Sequence, residues 1–129
     1  PVELRPLIGN RVFGCDDCQL VCPWNRFARP TEQGDFQPRH QLDNAELATL
    51  FRWTEEEFLS RTEGSPLRRT GYQNWLRNLA VGLGNAPSSI PVLEALQARR
   101  DDPSELVREH VEWALDQHQL RASAVDLTP

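Results

Sequence analysis

A mostly α-helical fold is predicted by three observations. From Leu42 onward, apolar residues recur at helical spacing through five successive segments separated by glycine, proline and capping residues. The third and fifth of these segments align at a shift of 31 residues, with Leu76-Arg77 over Val107-Arg108, Ala80 over Val111 and Leu83 over Ala114. Ahead of them, all 3 cysteines crowd into one loop. The first two observations predict a short HEAT-like helical repeat. The third predicts half of a ferredoxin-like module that holds two [4Fe–4S] clusters.

The cysteine stretch reads Gly14-Cys15-Asp16-Asp17-Cys18-Gln19-Leu20-Val21-Cys22-Pro23-Trp24. Its spacing, C-x-x-C-x-x-x-C-P, is the tail of the bacterial iron–sulfur run without the first cysteine. In two-cluster ferredoxins the cysteine before proline ligates the other cluster, so Cys15 and Cys18 point to one cluster and Cys22 to a second. Each cluster needs four ligands, which predicts that the missing thiolates lie outside this chain. With no methionine and a start at Pro1, the sequence reads as the C-terminal piece of a longer protein. Two alternatives stand beside this one. A disulfide suits an oxidising compartment, for which no signal peptide argues. A Cys₃His zinc site built from Cys15, Cys18, Cys22 and His40 is the other, and the proline after Cys22 favours iron–sulfur over it.

The first segment, Val2 to Asn10, is an apolar lead-in broken by Pro6 and Gly9, and Phe13, Leu20, Val21 and Trp24 are expected to jacket the cluster. Trp24 and Phe27 read as packing residues. Residues 30–41 carry Pro30, Gly34 and Pro38 without periodicity and read as a linker, in which His40 is otherwise an ordinary surface residue. The domains are therefore 1–29, half of the iron–sulfur module; 30–41, linker; 42–120, helical domain; and 121–129, a flexible tail.

Within the helical domain, Asp43 or Asn44 caps a helix bearing Leu47, Leu50 and Phe51. Thr54-Glu55-Glu56-Glu57 is a capping box, with Phe58 and Leu59 on the buried side and an end near Gly64. Ser65-Pro66 opens a third helix carrying Trp75, Leu76, Leu79, Ala80 and Leu83 and stopping at Gly84-Asn85. Pro87-Ser88-Ser89 starts a fourth, through Val92, Leu93 and Leu96. Asp102-Pro103-Ser104-Glu105 starts a fifth, with Leu106, Val107, Val111, Ala114 and Leu115 on its apolar face.

The net charge of −5 excludes a wholesale nucleic-acid surface but leaves room for a local basic face. All 14 basic residues are arginine, whose planar fork suits phosphate. Arg68 and Arg69 stand at a helix entrance and Arg77 lies further along, interleaved with Tyr72, Trp75 and Asn78, a mixture that can grip phosphates and stack on unpaired bases of RNA. In the competing reading Trp75 is core and the arginines satisfy neighbouring carboxylates. Arg108, Glu109 and His110 read as an exposed helical face. No apolar run approaches the roughly 20 residues of a membrane span, so a cytoplasmic protein without a membrane partner, and a monomer, is expected.

The run Leu4 to Asn25, with G-C-D-D-C-Q-x-V-C-P-W-N at its centre, resembles the second cluster motif of the epoxyqueuosine reductases. Gly64-Ser65-Pro66-Leu67-Arg68-Arg69, Trp75-Leu76-Arg77-Asn78-Leu79-Ala80 and Val107 to Leu115 resemble that family's C-terminal part. The resemblance implies an iron–sulfur and cobalamin-dependent reductase that removes the epoxide oxygen of epoxyqueuosine at the tRNA wobble position, the last step of queuosine formation. It implies an upstream cobalamin-binding catalytic domain absent from this chain, two [4Fe–4S] clusters shared with upstream cysteines, an external electron donor, and a HEAT-like domain that holds the tRNA anticodon stem-loop. Carried over, Cys15 and Cys18 match ligands of one cluster and Cys22 the ligand given to the other. No catalytic residue of the family falls in this chain, which is expected to be inactive alone. A zinc-stabilised helical interaction module, or the ferredoxin domain of another corrinoid reductase such as a reductive dehalogenase, are the alternatives.

Overall fold

A computed structural model describes residues 1–43 and 45–125, with side chains through residue 124. Among the described residues seven α-helices run in order: α1 (Arg5–Ile8), α2 (Asp17–Leu20), α3 (Leu47–Phe51), α4 (Glu55–Arg61), α5 (Tyr72–Asn85), α6 (Ile90–Gln97) and α7 (Glu105–Val125). There is no strand among the described residues, as the mostly helical reading requires. The hydrophobic core lies between α3, α4, α5, α6 and α7, where Phe51, Phe58, Leu76, Leu79, Leu83, Leu96, Val107 and Val111 are fully buried. Each such side chain removed from water contributes about 1.5–3 kcal/mol, and these helices are held chiefly by that burial.

Local sequence explains most helix ends. At α4 the capping box forms in full: the Thr54 hydroxyl accepts from the Glu57 N–H at 3.2 Å while the Glu57 carboxylate accepts from the Thr54 N–H at 2.9 Å. Phe58 is buried as expected, but Leu59 faces solvent and α4 ends at Arg61 rather than near Gly64. There the buried Thr62 hydroxyl donates to the Phe58 carbonyl at 2.6 Å.

Three further boundaries differ from the sequence reading. The residue before α3 is Glu46, whose side chain makes no capping bond; Asp43 lies in a turn outside the helix, and Asn44 lies outside the described residues. The segment Pro66–Thr70 is a separate 3-10 turn, closed by Gly71 at φ 75°, so α5 starts only at Tyr72. A positive φ is open to glycine at little cost and breaks the α-helical run. Finally, α7 begins at Glu105 and continues to Val125, into the stretch read as a tail. The Arg121 guanidinium donates to the Gly84 carbonyl at 2.6 Å and so fastens this last turn to α5.

The repeat alignment pairs two helices that pack directly on each other, α5 against α7, with α6 beside them. They approach closely at Gly84, where a Cβ would lie 2.9 Å from the Ala114 Cα. The N-terminal lead-in is ordered into a 3-10 turn (Val2–Leu4) and α1, which packs on α5. Arg5 is buried there, hydrogen-bonded to Glu109 and stacked over Trp113 of α7.

Candidate metal-ligand loop and basic face

The cysteine loop is shaped by its own backbone. Gly14 and Asp16 both take positive φ, which turns the chain so that the Gln19 and Leu20 N–H groups donate to the Asp16 carbonyl at 2.9 and 2.8 Å. This winds α2 with Cys18 in it. Pro23 then opens a 3-10 turn through Phe27, so the short helix precedes the Cys-Pro step and a tighter turn follows it. Asn25 closes the loop, its side-chain N–H donating to the Gln19 carbonyl at 2.7 Å. Arg11 braces it from the other side through the Asp17 carboxylate at 2.9 Å.

All three thiols are free, with Cys15 and Cys18 exposed and Cys22 half-buried. Thiolates are the donors an iron–sulfur cluster takes, and two of the three stand in solvent where a cluster could be received. Among the described residues no three His, Cys, Asp or Glu side chains converge on one metal position, so Cys15, Cys18, Cys22 and His40 do not assemble a self-contained zinc site. Three thiols are fewer than the four ligands one cluster takes. Phe13, Leu20, Val21 and Trp24, expected to jacket a cluster, are 46, 74, 79 and 72% exposed and do not enclose the loop among the described residues. Trp24 and Phe27 pack on each other at 5.5 Å between ring centres.

The basic residues separate into different environments. Arg68 and Arg69 are exposed on the 3-10 turn ahead of α5, and Arg68 shares a shallow cleft with Glu55, Glu56 and Glu63 of the α4 side. Arg77 is half-buried on α5, in another cleft with Arg5, Arg11, Asn78 and His110. Its Nε and Nη2 donate to the Asn78 side-chain oxygen at 3.0 and 2.8 Å. Trp75 is buried, stacked on Trp53 and packed against Phe58, as the core reading had it. Tyr72 is half-buried; its hydroxyl donates to the Trp53 carbonyl at 2.6 Å and accepts from Arg99 at 2.8 Å, which leaves little of its ring as a stacking platform.

The trio Arg108, Glu109 and His110 is only partly the exposed face that was expected. Arg108 donates to the Asp102 and Pro103 carbonyls, and the Arg5 hydrogen bond holds the Glu109 carboxyl below the usual carboxylate range. His110 is buried with its Nδ1 at 2.8 Å from the Leu106 carbonyl; burial, reinforced by Arg5, pushes its pKa down and favours the neutral ring. His118 is likewise buried and its pKa lowered by burial, its ring bridging the Leu83 carbonyl and the Ser88 hydroxyl.

Sequence reasoning placed Asn78 in the RNA-gripping mixture and read Asn85 as a helix stop, and missed that both hold the N-terminal backbone. The Asn78 side-chain N–H donates to the Val12 carbonyl at 2.8 Å, and that of Asn85 donates to both the Arg5 and Gly9 carbonyls at 2.9 Å. Their signal in the sequence is two amides seven residues apart on an amphipathic helix that also carries Gln73, Asn74 and Arg77.

No helix among the described residues is long and apolar enough to cross a membrane. Comparison with known proteins gives related sequences. The chain is 86% identical over 118 residues to the epoxyqueuosine reductase of Pseudomonas aeruginosa, covering 92% of this chain and 33% of that protein. It is 64% identical over 120 residues to that of Xanthomonas campestris pv. campestris, covering 93 and 34%, and 53% identical over 124 residues to that of Escherichia coli strain K12, covering 96 and 32%. The chain thus spans about a third of the length of the curated relatives it matches. No family model and no solved structure matches it.

Proposed function

We propose that this chain, homologous over nine-tenths of its length to the epoxyqueuosine reductases, is the electron-delivery and RNA-contact part of an oxidoreductase of queuosine biosynthesis. The intact protein would reduce epoxyqueuosine to queuosine at the tRNA wobble position. The observation that carries the reading is the identity of 86% across 92% of the chain, cysteine loop and helices together. Cys15 and Cys18 would hold one [4Fe–4S] cluster and Cys22 the other, with the remaining thiolates, the cobalamin and the reacting groups supplied by the other two-thirds of the protein. When bound, the clusters supply one-electron transfer between an external donor and the corrinoid. The chain's own part is to present the thiolates, with Phe13, Leu20, Val21 and Trp24 to limit water around them once the rest of the protein covers that side. Alone it is inactive. A cytoplasmic, monomeric protein that binds the tRNA anticodon stem-loop completes the reading, with Arg68, Arg69 and Arg77 as phosphate contacts and Tyr72 a marginal one.

Two measurements test it. Full-length protein purified without oxygen is expected to be brown, with about eight iron and eight sulfide per chain. One zinc and no colour would instead support a zinc-pinned helical scaffold. Removing Arg68, Arg69 and Arg77 is expected to weaken anticodon stem-loop binding and to lower the slope of log affinity against log salt by about one per arginine. An unchanged slope after all three changes removes the basic face from the reading, and bound clusters without RNA affinity would favour the ferredoxin domain of a different corrinoid reductase.

A further inference from the structure

The backbone of residues 5–12 lies along one stripe of α5. Asn78, Gly82 and Asn85 are spaced four and three residues apart, which places them on a single helix face two turns long. The two amides hold the Arg5, Gly9 and Val12 carbonyls. Between them, the backbone of Asn10 passes over Gly82, its Cα 3.7 Å from where a Cβ would stand, an ordinary van der Waals distance. The stripe therefore binds irregular main chain, the kind of segment that cannot satisfy its own carbonyls. Three residues beyond Val12 is Cys15, and Arg11, inside the bound segment, reaches Asp17 between Cys15 and Cys18.

Asn78 has a second engagement. The amide whose N–H holds Val12 uses its oxygen to hold both the Nε and Nη2 of Arg77. One side chain thus fixes the approach to the cysteine loop and the orientation of a guanidinium on the basic face.

We propose that Asn78 and Asn85 are positioning residues that keep the cysteine loop in register with α5, so that a phosphate-bearing RNA engaged at Arg77 is felt at the metal bound by the loop. This deepens the functional reading above and rests on it. Charge brought to Arg77 pulls on the Asn78 amide, and through the Val12 carbonyl on the segment that ends at Cys15. Asn85 anchors the same segment without touching Arg77, which makes it the cleaner probe.

The test uses full-length holoprotein and an anticodon stem-loop RNA. In the wild type, adding RNA is expected to shift the reduction potential and the electron paramagnetic resonance spectrum of the reduced clusters. In Asn85→Ala, RNA affinity is expected to stay within about twofold while that shift is lost. Hydrogen exchange of residues 10–18 should quicken in the same variant while α5 and α7 keep their protection, a readout that would not change selectively if Asn85 served only global stability. A shift of wild-type size in a folded Asn85→Ala, or RNA binding to the wild type with no shift, overturns the coupling. A wild type that binds no RNA overturns the functional reading itself. If Asn85→Ala does not fold, Asn78→Asp, which keeps the acceptor for Arg77 and loses the donor for Val12, is expected to speed exchange at residues 10–18; unchanged exchange overturns the positioning role.

Discussion

Replacing Arg99 by leucine is expected to destabilise the fold by about 3–5 kcal/mol, the range for breaking a buried charged pair by removing one partner. The side chain is 18% accessible and spends all three nitrogens inside the protein. Its Nε donates to the Phe51 carbonyl at 2.7 Å, its Nη2 to the Trp53 carbonyl and the Tyr72 hydroxyl at 2.8 Å, and its Nη1 to Asp102 at 3.0 Å. The guanidinium also stacks over Phe51 and Tyr72. It therefore joins the end of α3, where helix termination leaves the Phe51 and Trp53 carbonyls over, to the Tyr72 hydroxyl at the start of α5 and the Asp102 carboxylate in the turn before α7. Leucine keeps much of the stem's contact area but leaves Asp102, 9% accessible, as a carboxylate without its cation. Lysine keeps the charge and loses the fork, so it can serve one acceptor at a time and is expected to recover less than half of the loss. Urea unfolding followed by circular dichroism measures both. A loss under about 1 kcal/mol for leucine would show the network to be no more than surface hydrogen bonding.

Arg99 also illustrates which parts of this protein could be read in advance. The capping box at Thr54, the apolar faces of α5 and α7 and the burial of Trp75 follow from rules that act within one or two turns, and the sequence carries them openly. The cysteine spacing is as local, and the family resemblance it suggested agrees with the relatives found. What stayed hidden is contact between distant segments that lack periodicity. Arg99 reads as a surface arginine at a helix end until α3 and α5 are brought to it. His110 reads as exposed until the N-terminal segment, carrying Arg5, lies beside it. Asn78 and Asn85 look like weak spots in an amphipathic helix, because nothing local says that irregular backbone will need their amides. The basic residues show the same limit: adjacency in sequence grouped Arg68 with Arg77, and the fold places them in separate clefts.

Gly84 is the sharpest case, because sequence and structure assign its glycine opposite reasons and the difference is measurable. Near a helix end a glycine suggests a C-terminal cap, which needs a left-handed backbone. Gly84 is instead an ordinary helical residue inside α5, which runs on to Asn85, and it is buried against α7. On helix propensity alone, Gly84→Ala should stabilise by about 1 kcal/mol. A Cβ at this position would lie 2.6 Å from the Trp113 ring, 2.9 Å from the Ala114 Cα and 3.0 Å from the Ala114 Cβ. The backbone of α7 cannot step aside without moving Val111 and Ala114 out of the core they fill, and overpacking of this kind costs about 1–3 kcal/mol or more. The contacts under 3 Å put the steric cost at the upper end of that range, so Gly84→Ala is expected to lose up to about 2 kcal/mol net, with Gly84→Val worse by the volume of two more carbons. Gly82 supplies the internal comparison: its Cβ would press on the end of the Leu47 side chain at 2.9 Å, which can rotate, so Gly82→Ala is expected to cost less than Gly84→Ala. Gly34, with nothing within 4 Å, should be indifferent to alanine. Equal urea midpoints for the Gly84 and Gly34 variants would mean that α5 and α7 are not pressed together at this crossing, and the packing of the two longest helices would have to be drawn differently.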